Sequence, residues 1–223
     1  MKRRFFAPLL AVILLLSACS TSPSEKAEVE YPQLTNKVQK NEQVVEMETS
    51  MGTIKIKLFP EYAPKAVENF ITHSKNGYYD GVIFHRVMND FMIQGGDPEG
   101  TGMGGESIYG QPFEDEFSDK LFHIRGALSM AKPDLPDSNG SQFFIVQNSH
   151  LDPDYKGEME QAGYPTEIIE AYEKGGTPWL DHKHTVFGQV IEGMDIVDKI
   201  ASVEIGAINK PVEDVVIKKI KVK

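Results

Sequence analysis

Residues 84–97 of this chain read Phe84-His85-Arg86-Val87-Met88-Asn89-Asp90-Phe91-Met92-Ile93-Gln94-Gly95-Gly96-Asp97. This segment places an arginine, a Phe-Met pair and a glutamine within nine residues, and it ends in a double glycine and an aspartate. A permanently charged, forked guanidinium beside aromatic and thioether side chains suits a ligand that is apolar but carries a backbone carbonyl. A proline residue within a peptide has this character.

The segments on both sides of residues 84–97 indicate a mainly β domain. Residues 44–58 alternate apolar and polar side chains around Ser50-Met51-Gly52, which predicts a β-hairpin. Further short strands are predicted at 82–87, 91–94, 127–130, 142–146, 186–190 and 212–222, and helices at 64–75 and 193–201. Many short strands with two helices far apart in sequence fit a closed antiparallel barrel capped by those helices, and not a βαβ repeat.

A polar insertion at residues 148–177 interrupts this pattern. It contains one predicted helix, over residues 165–174, which ends at Gly175-Gly176. Loops of this length are usually either functional or peripheral. The sequence leaves two interpretations open: a specificity lid that leans over a binding groove, or a solvated appendage.

The first 18 residues are predicted to be a lipoprotein signal peptide. Residues 2–4 are Lys-Arg-Arg, and residues 5–16 are apolar but fewer than the roughly 20 that a membrane-spanning helix needs. Leu16-Ser17-Ala18-Cys19 resembles a bacterial lipobox, which implies cleavage before Cys19 and a lipid on its sulfur. The alternative is an ordinary signal peptide whose cleavage site happens to precede a cysteine.

The remaining chain divides into a tether and a folded domain. Residues 19–43 are predicted to form the lipidated cysteine and a flexible polar tether, and residues 44–223 the domain. Cys19 is the only cysteine, so an intrachain disulfide is impossible. The formal net charge of −10 argues against nucleic acid or anionic lipid as the main partner, because both require a basic face. Membrane attachment is therefore expected to depend on the lipid.

The residue types in and around the segment 84–97 fit catalysis of prolyl bond rotation. The barrier to this rotation is about 18–20 kcal/mol, because the C–N bond has partial double-bond character. Lowering it requires an apolar slot, hydrogen bonds to a flanking carbonyl and a donor aimed at the imide nitrogen, and no nucleophile, metal or cofactor. Arg86 is the candidate donor, and Gln94 and the backbone near Asn139-Gly140 are candidates for holding carbonyls. The candidate slot residues are Phe91, Met92 and Phe144, with either Leu151 or Leu180.

Seven blocks of sequence carry a family resemblance that covers nearly all of residues 44–223. They are residues 84–97, Gly102-Met103-Gly104-Gly105-Glu106-Ser107-Ile108-Tyr109-Gly110, Phe113-Glu114-Asp115-Glu116, Leu128-Ser129-Met130-Ala131, Asn139-Gly140-Ser141-Gln142-Phe143-Phe144-Ile145, Trp179-Leu180-Asp181 and His184-Thr185-Val186-Phe187-Gly188. Together they resemble the cyclophilin family of peptidyl-prolyl cis-trans isomerases, in the lipoprotein form of the streptococcal rotamases. The resemblance implies a closed eight-stranded antiparallel barrel capped by two helices.

The resemblance also implies a set of site residues. The catalytic residues would be Arg86, Gln94 and Phe91. The substrate-binding residues would be His85, Met92, Gly102, Ala131, Lys132, Asn139, Gln142, Phe144, Trp179, Leu180 and His184. His182 and His184 lack a third ligand at suitable spacing, so no metal site is expected.

The sequence therefore predicts a monomeric, lipid-anchored prolyl isomerase on the extracytoplasmic face of a bacterial cell membrane. Its partners would be unfolded or newly exported proline-containing polypeptides, and Trp179 makes binding of cyclosporin an additional expectation from the resemblance. One alternative is a non-catalytic module or adhesin that binds proline peptides on the same fold. Another is the solute-binding lipoprotein of a transporter. The presence of Arg86 favours turnover over binding alone, and the absence of predicted βαβ units disfavours the solute-binding protein.

Overall fold

The computed structural model describes Met1 and residues 31–223. In this part of the chain, eight strands form one antiparallel sheet: β1 (Gln43–Thr49), β2 (Gly52–Leu58), β3 (Arg86–Met88), β4 (Met92–Gly95), β5 (Ala127–Met130), β6 (Phe143–Val146), β7 (Val186–Glu192) and β8 (Ile217–Val222). The α-helices of the same part are α1 (Pro64–Lys75), α2 (Asp154–Gln161), α3 (Thr166–Tyr172) and α4 (Met194–Ala201). Short 3₁₀ turns lie at Pro32–Leu34, Pro178–Leu180 and Ala207–Asn209.

The sheet is open, and the prediction of a closed barrel is wrong in this respect. Its strand order is β3-β4-β6-β5-β7-β2-β1-β8, so β3 and β8 are the two edges. The edges approach each other where Ile83 forms an isolated bridge with Val216 and the N–H of Ile217, the first residue of β8, donates to the carbonyl of Val82 at 2.8 Å. These residues do not continue into a ladder, because β3 is only three residues long and starts beyond the bridge. The first and last strands pair directly, with Val45 opposite Val222.

The two helices predicted to cap the barrel, over residues 64–75 and 193–201, are present. Helix α1 begins at Pro64, where a missing N–H costs nothing, and Gly77 follows its end with a φ of +70°. Helix α4 begins after Gly193 and buries Val197 and Ile200. The insertion contains two helices, α2 and α3, where the sequence predicts one.

Three apolar clusters hold these elements together. The largest lies between the sheet and helices α1 and α4, around Phe70, Phe143 and Phe187. A second includes Met92 and Phe144 and lies under the predicted site. The third joins residues 122–124 to the insertion helices, and its buried members are Phe122, Ile124, Met159, Ile168, Ile169 and Tyr172. The insertion therefore shares a core with the domain.

The segment 31–42 lies against the sheet, although the sequence pattern predicts a flexible tether as far as residue 43. The Gln33 side chain is 4% exposed, and its amide donates to the carbonyl of Phe122 at 2.9 Å and accepts from the Phe122 N–H at 2.6 Å. The fully buried Lys57 ammonium on β2 donates to the carbonyl of Pro32 at 2.6 Å and to the Glu42 carboxylate at 3.1 Å. These polar contacts fix the segment without an apolar repeat.

The predicted signal peptide, Cys19 and the first part of the predicted tether lie outside the described residues. Among the residues that are described, no helix combines the length and the hydrophobicity needed to cross a membrane.

Candidate active site

A pocket with a volume of about 160 Å³ opens beside β3, β4 and β6. Its lining residues are Arg86, Phe91, Met92, Gln94, Ala131, Lys132, Phe144, Leu180 and His184. All of them belong to the site predicted from the sequence. The structure thus brings together side chains that are almost 100 residues apart in the chain.

Strand register explains how the central residues of the pocket meet. Arg86 on β3 lies opposite Gln94 on β4, and Gln94 lies opposite Phe144 on β6. Residues that are directly opposite each other in an antiparallel sheet project from the same face. A cation, an amide and an aromatic ring therefore form one row across three strands. Met92 and Phe144 are almost fully buried and give the pocket an apolar floor.

The Arg86 guanidinium is held by specific contacts. Its Nη1 donates to Gln94 Oε1 at 3.2 Å, and its Nη2 contacts Met88 Sδ at 3.2 Å. Its carbon Cζ lies 6.0 Å from the centre of the Phe91 ring, within the range of a cation–π interaction. Because a guanidinium has five N–H donors, these contacts leave donors for a ligand.

The glycine-rich segment 99–105 is linked to Arg86 through two glutamines. Gln94 Nε2 donates to Gln142 Oε1 at 3.0 Å, and Gln142 Nε2 donates to the carbonyls of Gly102 and Gly104 at 3.1 and 2.8 Å. The chain of hydrogen bonds therefore runs from this loop to the guanidinium. It fixes the orientation of both amides.

Asp97 holds the glycine-rich loop from below. Its fully buried carboxylate accepts hydrogen bonds from the N–H groups of Glu99, Thr101, Gly102 and Gly104. Burial alone would raise the pKa of Asp97, but these hydrogen bonds outweigh it and lower the pKa below its usual value. A side chain at position 104 would collide with Asp97, since an added Cβ would lie 2.4 Å from Oδ1.

His184 is a neutral member of the pocket wall. Its Nδ1 lies 3.1 Å from the carbonyl of Met130, so Nδ1 carries the proton and donates. The ring meets Phe144 edge to face, with 5.5 Å between centroids. Burial, followed by the nearby His123, lowers the pKa of His184 from 6.5 to about 4.

This low pKa predicts how the protein responds to pH. Since folded His184 binds its proton less readily than the unfolded chain does, its contribution to stability is complete above pH 6.5. That contribution is lost as the pH falls from 6.5 towards 4. We expect denaturation curves of His184→Gln to show a weaker loss of stability over this window than those of the wild type. Because the pKa of His184 is about 4, its ring stays neutral over this range, and kcat/KM should be flat between about pH 6 and 8. A change in kcat/KM centred near pH 6.5 that disappears in His184→Gln would contradict the lowered pKa of His184.

Trp179 forms the outer edge of the site. Its ring is 37% exposed and stacks on Phe91, with 6.3 Å between centroids and 24° between planes. The 3₁₀ turn that carries Trp179 also places Leu180 in the pocket. Leu151, the other candidate for this slot position, packs in the cluster of the insertion.

Four other predicted residues lie outside the pocket. Gly102 and Gln142 line a neighbouring hollow, next to Met103 and Pro133. His85 is buried under the glycine loop, where an added Cβ on Gly102 would lie 3.4 Å from its ring. Asn139 is buried, and its amide nitrogen donates to the carbonyls of Phe113 and Glu114. Its backbone N–H and carbonyl also pair with Phe113, so Asn139 shapes the loop next to the site.

The structure adds two supporting residues to which the sequence alone assigns no role. Met88 supports the guanidinium through its sulfur, and Asp97 fixes the glycine loop. Asp97 follows a double glycine and precedes a glycine-rich stretch, which is a recognisable signal for a carboxylate that caps backbone N–H groups. Lys132 lines the pocket with its stem, because its ammonium donates to the carbonyl of Leu135 at 2.7 Å.

Comparisons with known proteins agree with this geometry. Residues 44–222 match the family described as cyclophilin type peptidyl-prolyl cis-trans isomerase/CLD. Proteins named as peptidyl-prolyl cis-trans isomerases in Staphylococcus epidermidis and Staphylococcus aureus are 61% and 58% identical over 193 residues, covering 86% of this chain and 98% of theirs.

Solved structures give the same result. A cyclophilin-type isomerase of Cryptosporidium parvum superposes with a TM-score of 0.68 at 35% identity, covering 82% of this chain and 98% of that one. A second structure of it, determined in the presence of the dipeptide Ala-Pro, gives a TM-score of 0.67 at 36% identity, with 81% and 99% covered. Because the family match spans most of the chain and the sequence identities are high, this chain belongs to the cyclophilin-type peptidyl-prolyl cis-trans isomerases.

Proposed function

We propose that isomerisation takes place in the pocket between Arg86 and Phe144, with Arg86 as the catalytic donor. The observation that carries this proposal is the position of a fixed guanidinium beside an apolar floor formed by Met92 and Phe144. A proline ring of the substrate would enter the pocket and lie against these apolar side chains. The rest of the peptide would then follow the exposed surface on either side.

The chemistry requires stabilisation of a twisted amide. As the C–N bond rotates, resonance is lost and the imide nitrogen becomes pyramidal, so its lone pair can accept a hydrogen bond. An N–H group of Arg86 can donate to that lone pair, and its interaction is stronger in the twisted state than in either planar isomer. Only such a difference between transition state and ground state accelerates the reaction.

Gln94 is assigned a positioning role. Its Oε1 accepts from Arg86 and its Nε2 donates to Gln142, so both ends of the amide are used within the protein. The chain from the glycine loop to Arg86 preorganises the guanidinium, which reduces the cost of orienting it during the reaction. A coupled isomerisation assay with a short X-Pro peptide tests the proposal, with Arg86→Ala as the decisive variant.

We further propose that the substrates are exported polypeptides and that the enzyme acts outside the cytoplasmic membrane, anchored by lipid on Cys19. The support comes from the sequence: a basic start, a short apolar stretch and Leu16-Ser17-Ala18-Cys19. A lipid anchor with two acyl chains is sufficient for stable attachment. Binding of cyclosporin near Trp179 also stays a prediction.

The anchoring proposal predicts the behaviour of a single variant. In a Gram-positive host fed a labelled fatty acid, the wild-type chain should incorporate the label and sediment with membranes. Cys19→Ala should lose the label, because the chain offers no other thiol. Labelling of Cys19→Ala at the wild-type level would reject lipidation at this residue. Arg86→Ala serves as the control, since its labelling should match the wild type.

A further inference from the structure

Helix α2 of the insertion brings an aromatic ring to the edge of the active site. The ring of Tyr155 lies 5.4 Å from the ring of Trp179, with 40° between planes. Trp179 in turn stacks on Phe91, which lines the pocket. Tyr155, Trp179 and Phe91 therefore form a continuous row of rings, termed here the aromatic shelf, that starts at the pocket and ends on the insertion.

The shelf is accessible to a ligand. Trp179 is 37% exposed, and Phe91 and Tyr155 are half-buried. The insertion leaves the pocket open, since none of the residues that line the pocket belongs to residues 148–177. Tyr155 thus extends the surface next to the pocket without covering it, which differs from both a lid and a detached appendage.

The position of the shelf is fixed by a buried polar centre, Asp181, two residues after Trp179. Its carboxylate accepts hydrogen bonds from the hydroxyls of Tyr164 and Tyr172 on the insertion, at 3.0 and 2.6 Å. It also accepts from the N–H of His123 and lies 2.8 Å from His123 Nδ1. The His123 ring stacks on Phe144 in the pocket floor, with 5.9 Å between centroids. The turn that carries Trp179 is therefore held in a fixed relation to both the insertion and the pocket floor.

We propose that Tyr155 is a specificity-determining residue, and that the aromatic shelf binds an apolar or aromatic side chain of the substrate on the Trp179 side of the prolyl bond. This inference rests on the proposed location of the reaction in the pocket.

Centroid separations of 6.3 and 5.4 Å give the shelf a reach of at most about 12 Å. An extended peptide covers this distance in three to four residues, at about 3.4 Å each. The preferred side chain should therefore lie two to four residues from the proline.

The test compares peptides that differ only at those positions. One series carries a single phenylalanine two, three or four residues before or after the proline, and the reference peptide carries glycine at all of them. The full chain should process at least one phenylalanine peptide about three- to tenfold faster than the reference, the range expected for one aromatic contact. Tyr155→Ala should lose this preference, so that its rates with the phenylalanine peptides fall to its rate with the reference peptide. Tyr155→Phe should retain the preference, because the ring is preserved.

A matched control and a second readout separate specificity from folding. Glu158→Ala, an exposed change on the same helix, should behave like the wild type. Trp179 is the only tryptophan, so its fluorescence reports peptide binding directly on the shelf. Tyr155→Ala should weaken binding of the preferred peptide about three- to tenfold in this titration.

The outcomes distinguish this inference from the proposed mechanism. Retention of the full preference by Tyr155→Ala would overturn the role of Tyr155. An equal loss for the phenylalanine and glycine peptides would also overturn it, because that result indicates a structural role. The tighter binding of the phenylalanine peptide, measured by Trp179 fluorescence, should persist in Arg86→Ala. The isomerisation rate of Arg86→Ala tests the mechanism separately. A full rate in Arg86→Ala would reject the mechanism while leaving the binding preference measurable.

Discussion

Arg86→Ala is expected to lower kcat/KM for an X-Pro peptide by about 100- to 1,000-fold. This range corresponds to the roughly 2.7–4 kcal/mol that is lost when one preorganised donor to a developing charge or lone pair is removed. The change leaves the apolar floor of Met92 and Phe144 in place, so peptide binding should weaken far less than turnover. A protease-coupled assay of the cis-to-trans rate, together with the Trp179 titration, measures the two quantities separately.

Two further variants sharpen this experiment. Arg86→Lys keeps the charge but lacks the forked geometry that contacts Gln94 and Met88, so its rate should lie between those of the wild type and Arg86→Ala. Arg125→Ala removes the other guanidinium of the folded domain, which pairs with Asp198 outside the pocket, and should keep wild-type activity per folded molecule. Equal rates for wild type and Arg86→Ala would exclude Arg86 as the donor. Inactivity of the wild type itself would favour a non-catalytic binder of proline peptides.

Glu42→Ala is expected to destabilise the folded domain by about 3–5 kcal/mol. The change leaves the Lys57 ammonium fully buried and without its carboxylate partner, and an unpaired buried charge carries a cost of this size. The segment 31–42 should then detach more often, because its release exposes the Lys57 ammonium to water, although the carbonyls of Pro32 and Lys37 still accept hydrogen bonds from Lys57 and oppose the release. Chemical denaturation measures the loss, and hydrogen exchange at residues 31–42 reports the detachment.

An exposed ion pair supplies the control for Glu42. Lys156 and Glu173 approach to 2.7 Å but are each about half exposed, so Glu173→Ala should cost less than about 1 kcal/mol. Replacing both buried charges, as in Lys57→Met with Glu42→Gln, should recover part of the stability lost in Glu42→Ala. A cost for Glu42→Ala no larger than that for Glu173→Ala would show that the buried pair does not hold the segment.

The sequence predicts the pocket well because its residues come in short local blocks. Arg86, Phe91 and Gln94 lie within one hairpin, and Phe144 lies in a second block that pairs with it in register. The strands and the two flanking helices follow from the same local periodicity. Asn139 shows the limit of this reasoning: a residue within a site motif can serve the structure, as its bonds to Phe113 and Glu114 show.

The features that the sequence does not predict depend on contacts between distant residues. Whether the sheet closes is decided between Ile83 and Val216, and no local pattern encodes that pairing. The contact of Tyr155 with Trp179 depends on how the insertion folds back. The segment 31–42 looks like a tether because its attachment uses main-chain carbonyls, the Gln33 amide and a buried lysine, which leave no apolar period to detect.

The pairing of β1 with β8 has a consequence for how the protein is made. Val45 lies opposite Val222, and the N–H of Lys223 donates to the carbonyl of Val44 at 2.9 Å. A nascent chain leaves the ribosome with β1 first, so that strand cannot pair along its second edge until β8 (Ile217–Val222) has been translated. During this interval it presents an unpaired edge to other chains. Prematurely terminated products should therefore aggregate, and a circularly permuted gene that makes the two strands neighbours should shorten the exposed interval.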